Sequence, residues 1–316
     1  MDLTSAYEHC TLCPRACGVN RAQGKRGVCG ATSTLRVARA ALHFWEEPPI
    51  SGESGSGAIF FSGCSLRCVF CQNHEISHEG FGLEVTAERL AAMMLELQQQ
   101  GALNINLVTP SHYAPHVIAA VRAARAEGLE LPIVCNTSGY ETVETVRALG
   151  EAVDVWLTDF KYASATLARD LSGAADYPRV AARALVEMRD LLRARGGRKA
   201  LPDGDDGMPG ALQQGIVVRH LVLPGHVDDS CAVLNCVWDT CGNEVDLSVM
   251  NQYTPNARVR AEGGALARAV TEAEYEAVLD HADDLGFDRL WWQQGGTVSE
   301  SFVPAFDATG VLGPAS

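Results

Sequence analysis

No stretch of this chain approaches the roughly 18 to 20 consecutive apolar residues of a membrane helix, and the opening MDLTSAYEHCTLCPR lacks the apolar core of a signal peptide. A cytoplasmic protein with no membrane partner is therefore expected. Basic charge is also scarce. Lys and Arg total 25 against 39 Asp and Glu, a formal charge of −14, which speaks against nucleic acid or an anionic membrane as a general partner. No repeat of fixed period runs through the sequence, which excludes solenoids and propellers. Cysteine, by contrast, is plentiful, at eleven in 316 residues. In a reducing compartment such thiols point to metal binding or catalysis rather than to disulfides.

With 47% hydrophobic residues the chain can bury one large core plus a small appendage. Residues 1–40 are rich in Cys, Gly and Arg with little periodicity, and read as a small module held by something other than apolar packing. Residues 41–316 alternate strand and helix patterns. Short apolar runs at 58–63, 104–109, 133–138, 154–160, 216–224 and 245–253 are six candidate buried strands. Between them lie helical patterns such as 86–101, where Leu90, Met94 and Leu97 share one face. That alternation predicts an α/β fold with a parallel sheet, and six consecutive units suggest a partial (β/α)6 barrel more than a doubly wound sheet. The stretch 196–215 reads as a mobile surface loop. Residues 271–316 form a C-terminal extension, opening with the capping box Thr271 to Glu274 and followed by a further strand, RLWWQQ (289–294).

In GCSLRCVFCQNHEIS (63–77) the missing residue is a fourth cysteine beside Cys64, Cys68 and Cys71. An odd count cannot close as disulfides, and a structural zinc site normally takes four ligands. The run follows the first candidate strand, so it occupies the first βα loop, on the face where barrel active sites are built. Three thiolates there can hold three irons of a [4Fe-4S] cluster and leave the fourth iron open, where ferredoxins add a fourth cysteine. Zinc with a remote fourth ligand is the alternative.

CSLRCVFC has the CxxxCxxC form of the radical S-adenosylmethionine (SAM) enzymes, with Phe70 at the aromatic position before the last cysteine. Together with NINLVTPSHY, CNTSGYE, VWLTDFKY, VRHLVLPG and MNQYTP, it makes the chain resemble the pyruvate formate-lyase activating enzyme-like proteins of the PflX-like branch. The resemblance implies a cluster whose open iron chelates SAM, reductive cleavage to a 5′-deoxyadenosyl radical, and an electron donor such as flavodoxin or ferredoxin. It places Asp159 and Lys161 against SAM, Arg219 near its carboxylate, and Asn136 and Thr137 beside the same group. The Gly-Gly-Glu run that receives the SAM amino group in many such enzymes is replaced by LVTPSHY, leaving that work to Thr109 and neighbouring carbonyls. Asn136 stands where activating enzymes commonly have aspartate, so a bound monovalent cation does not carry over. Activation of a glycyl radical enzyme is one implied function. Modification of another peptide or a small molecule, or a metal-binding or electron-transfer protein without turnover, are the others.

Cys10, Cys13, Cys17 and Cys29 form a second set with the spacing CxxC-x3-C-x11-C, four soft ligands for a second iron–sulfur cluster or for zinc. Between residues 10 and 39 there are six Lys or Arg and no acid, a patch that would offset thiolate charge or dock an acidic electron donor or substrate protein. Cys231, Cys236 and Cys241 are spaced five apart on a predicted helix, turning about 140° per step, and read as core packing with Cys135. His112, His220 and His226 are placed near the site rim, Gln252 and Tyr253 in its wall, and Trp291 and Trp292 over the open end of the sheet.

Overall fold

The structure, a computed structural model, describes residues 5–205, 207–293 and 302–313. All six expected strands form, and their residues explain why: strands buried on both faces of a parallel sheet need near-continuous apolar runs. Ten strands are present among the described residues: β1 Leu35–His43, β2 Ser56–Phe61, β3 Leu83–Val85, β4 Ile105–Val108, β5 Ile133–Thr137, β6 Val155–Asp159, β7 Lys199–Ala200, β8 Leu212–Leu221, β9 Asp246–Met250 and β10 Leu290–Trp292. Strands β2, β4, β5, β6, β8, β9 and β10 pair in parallel in that order. Spatial order follows chain order, so every crossover advances the same way and the sheet winds once, as a partial barrel does, with no reversal point. The seventh parallel strand, β10, is the expected RLWWQQ, whose last residue lies outside the described residues.

Three strands, β1, β3 and the short β7, are additional to the expected set. β1 pairs antiparallel with β2, and β3 antiparallel with β1, extending the sheet past its first parallel strand. β1 begins at Leu35, inside the residues read as the cysteine-rich module. The stretch 196–215 is tied at both ends, because β7 pairs with the start of β8 and Leu201 donates to Ala211 O.

Helices cover one sheet face. In Ala87–Gln99 the predicted stripe is buried, with Leu90, Met94 and Leu97 at most 1% exposed, and Thr86 caps its first turn. Helix Glu272–Leu285 carries the expected capping box. Within helix Val227–Cys241, Cys241 is buried while Cys231 and Cys236 are half-buried, as divergent directions require. The other sheet face holds a separate apolar cluster of Val134, Val155, Leu157 and Val217, plugged by Ile50. Beyond it the inward positions turn polar: Asn136, Asp159 and Arg219. Residues 44–49, after β1, run into this interior, and residues 302–313 pack back along β1, with Ala40 N donating to Thr309 O and Ala308 N to Ala38 O.

Candidate functional site

The loop after β2 is shaped by Gly63, whose φ of +90° and approach to Cys29 O leave no room for a Cβ. Behind it a tight turn brings Cys71 N onto Cys68 O at 3.1 Å. The three thiols interact. Burial pushes the Cys64 thiol up, with Cys68 and Cys71 adding to the effect and Lys161 opposing it; burial and then Cys68 do the same to Cys71. Ser172 Oγ donates to Cys68 Sγ at 3.0 Å, and Ser77 Oγ lies 3.3 Å from Cys71 Sγ. Three converging soft donors suit an iron–sulfur cluster. Phe70 packs edge-on against Tyr253, fixing the loop to the end of β9.

Cys68 and Cys71 open on a cavity of about 320 Å³ at the C-terminal strand ends, whose wall also includes Phe70, Asn136, Asp159, Lys161 and Arg219. Cys68 and Arg219, 151 residues apart in sequence, are thereby brought together. Arg219 Nε donates to Asp159 Oδ1 at 2.9 Å and its Nη2 to Asn136 Oδ1 at 2.6 Å, and Lys161 Nζ pairs with Asp159 Oδ2. Burial works against the charge on Asp159, but Lys161 and Arg219 hold its carboxyl below the usual range. The cavity can therefore present fixed, oppositely charged groups to a zwitterionic ligand.

Cys64, Thr109 and Thr137 do not line this cavity. Thr109 holds a left-handed φ of 60° and donates its N–H to Asn136 O, so it serves the backbone turn at the end of β4. Thr137 is buried, and its Oγ1 has no hydrogen-bond partner. The three histidines are not at the rim. His112 bonds Ser62 O and His220 bonds Phe160 O, and burial pushes them down to about 3 and about 4, so both stay neutral. His226 precedes helix Val227–Cys241, away from the cavity.

Glu46 and Glu47 were not found by pattern. Glu46 accepts from Arg219, Asn106 and Asn136, and Glu47 lies beside it in the cavity wall. Burial raises both carboxyls, and Arg219 opposes that. Gln252, Tyr253, Trp291 and Trp292 line the cavity, the last with 58% exposure, so the tryptophans form its wall rather than a cap on the sheet alone.

The N-terminal thiols also gather. Burial pushes Cys13 up to about 12, and Cys29, Cys10 and Cys17 add to the effect. Gly27 makes space for this set, since a Cβ there would sit 2.4 Å from Cys17 Sγ. Four soft thiols that interact with one another are the donor type of an iron–sulfur cluster or zinc. Among the described residues no group of three or more His, Cys, Asp or Glu side chains is arranged to hold a single ion. The surrounding cations are not a free patch. Arg21 is 1% exposed and donates to His112 O and Thr32 O, Arg36 reaches Gly82 O, and Arg39 pairs with Asp307. Lys25 and Arg26 are exposed. No helix among the described residues is long and apolar enough to cross a membrane.

Residues 58–195 match the radical SAM superfamily. An uncharacterized protein of Methanocaldococcus jannaschii is 26% identical over 294 residues, covering 90% of this chain and 77% of that protein. A radical SAM methyltransferase from Sphaerobacter thermophilus superposes with a TM-score of 0.51 at 13% identity, over 76% of this chain and 67% of that one. SuiB of Streptococcus suis, solved with S-adenosylmethionine, gives a TM-score of 0.49 at 13% identity over 74% of this chain; the match spans 48% of SuiB, about half its length. The fold is thus the α/β partial barrel of radical SAM structures.

Proposed function

We propose that this chain is a radical SAM enzyme that removes a hydrogen atom from an organic substrate. The observation that carries the reading is the convergence of Cys64, Cys68 and Cys71 beside a cavity walled by Asp159, Lys161 and Arg219. A [4Fe-4S] cluster held by these thiolates would supply the electron for reductive cleavage of bound SAM to methionine and a 5′-deoxyadenosyl radical. The protein's part is placement. Lys161 and Arg219 face the carboxylate of SAM, while Asp159, paired to both, keeps them charged and oriented. Thr109 and Thr137 support the strand ends rather than the ligand.

The substrate occupies the wall formed by Trp45, Trp292 and Gln252, which suits a small molecule or one extended peptide segment, such as the glycine-bearing loop that an activating enzyme modifies. The electron comes from an external one-electron donor of the flavodoxin or ferredoxin class. For the N-terminal thiols we infer a second iron–sulfur cluster, with zinc as the alternative, from four interacting soft donors that precede a redox domain. Iron and sulfide analysis of the anaerobically reconstituted protein tests the assignment. Cys64→Ala/Cys68→Ala/Cys71→Ala is expected to lose one cluster's worth of iron and all SAM binding. Unchanged iron in that variant would refute it.

A further inference from the structure

The two cysteine sets share a seam. The Cys29 carbonyl would sit 2.6 Å from a Cβ on Gly63, the residue before Cys64. Beside it, Arg67 Nη1 reaches Val28 O at 3.5 Å. The main bridge is Arg15, between Cys13 and Cys17. Its Nε donates to Ser65 O at 2.9 Å, Nη1 to Gly173 O at 2.5 Å and Nη2 to Ser172 O at 3.0 Å. Ser65 follows Cys64, and Ser172 Oγ donates to Cys68 Sγ. One guanidinium therefore grips the loop next to Cys64 and, through Ser172, the support of Cys68. Two of its three acceptors are terminal carbonyls of helix Ala165–Ser172, where a cation is favoured.

The segment that presents Arg15 is tied to the barrel on either side, by Thr145 Oγ1 donating to Leu12 O at 2.7 Å and by Arg21 donating to His112 O, while Arg15 itself also lies over the Tyr140 ring. From residue 9 to 30 it contains one short 3-10 turn, Arg21–Gln23, and its local apolar cluster is Tyr7, Cys10 and Leu12. Cys13 and Cys17 flank Arg15 two residues away on each side, so a crosslink through these thiols would restrain the turn that carries it, in addition to those contacts.

We propose that metal bound by the N-terminal thiols is the structural clamp of the SAM site: it fixes Arg15, and Arg15 fixes the loop of Cys64 and Cys68. Arg15 is a positioning residue, and the inference rests on those four thiols holding metal. Removing such a support typically costs about 10- to 100-fold in metal affinity or activity.

The test uses the full chain, reconstituted anaerobically with iron and sulfide, comparing wild type, Arg15→Met, Arg15→Lys and Cys13→Ser/Cys17→Ser. Metal content, the EPR spectrum of the dithionite-reduced protein with and without SAM, and SAM affinity are read. Arg15→Met is expected to keep the N-terminal metal, lose much of the SAM-induced spectral change and bind SAM about 10- to 100-fold more weakly. Arg15→Lys is expected to recover part of both. Cys13→Ser/Cys17→Ser is expected to lose the N-terminal metal and show the same defect at the other site. If that double variant has the metal content of wild type, the reading of the N-terminal site fails. If metal is lost there but Arg15→Met keeps the wild-type spectrum and SAM affinity, the coupling itself fails. Should Arg15→Met not fold, Ser172→Ala cuts the last link alone and must shift the EPR signal; an unshifted signal overturns the proposal.

Discussion

Arg219 and Glu46 meet at 3.1 Å inside the barrel although 173 residues separate them in the chain. The pair ties β8 to the segment that follows β1, across the interior of the sheet. With Asp159 on Nε and Asn136 on Nη2, each guanidinium nitrogen makes one of these bonds, which leaves two of the five N–H donors for a ligand.

Arg219→Ala would leave Glu46 and Asp159 as buried carboxylates without their shared cation. Breaking a buried pair in this way costs about 3–5 kcal/mol. Urea denaturation is expected to show that loss together with greatly reduced SAM binding. A variant of unchanged stability would mean that the network is not formed.

Glu141 gives a pH signature. Burial pushes its carboxyl up to about 7, against the lowering effect of the neighbouring Thr137 and Ser111 hydroxyls, the latter donating to Oε1 at 3.0 Å. A folded-state value above the unfolded one stabilises the protonated form, so its contribution is full below about 4.5 and is lost as pH rises to about 7, a total of about 3 kcal/mol. Glu141→Gln removes this dependence. The stability of Glu141→Gln relative to wild type is expected to grow between pH 5 and 8; a constant difference would show that Glu141 titrates normally.

Gly27→Ala probes the N-terminal thiols without touching one. The added Cβ collides with Cys17 Sγ, and overpacking of this kind costs about 1–3 kcal/mol. Metal retained after desalting is expected to fall while the barrel's far-UV signal persists. Full retention would place Cys17 outside the site.

The parallel strands and the cysteine trio were legible for a physical reason. Strands such as NINLVT and IVCNTS are buried on both faces and must be apolar throughout, and three soft ligands in eight residues is a local pattern. β1 was illegible because LRVARAALH carries Arg36 and Arg39, as an antiparallel strand near an edge can, and it directly follows an aperiodic module. Glu46 and Glu47 were illegible because the partners that make Glu46 part of the site come from strands 60, 90 and 173 residues later. Asn136, Asp159, Lys161 and Arg219, grouped by resemblance, line one cavity, whereas Thr109 and Thr137 do not. The histidines misled because proximity in sequence to a strand end does not fix which side of the backbone a ring takes. His112 and His220 turn inward to backbone carbonyls.

The central claim is tested most directly by quantifying 5′-deoxyadenosine and methionine after dithionite reduction of the reconstituted protein in the presence of SAM, against Cys68→Ala. The account predicts both products in equal amounts from wild type and none above background from Cys68→Ala. Equal product from the two proteins, or none from a wild-type protein that carries a full cluster and binds SAM, would contradict it.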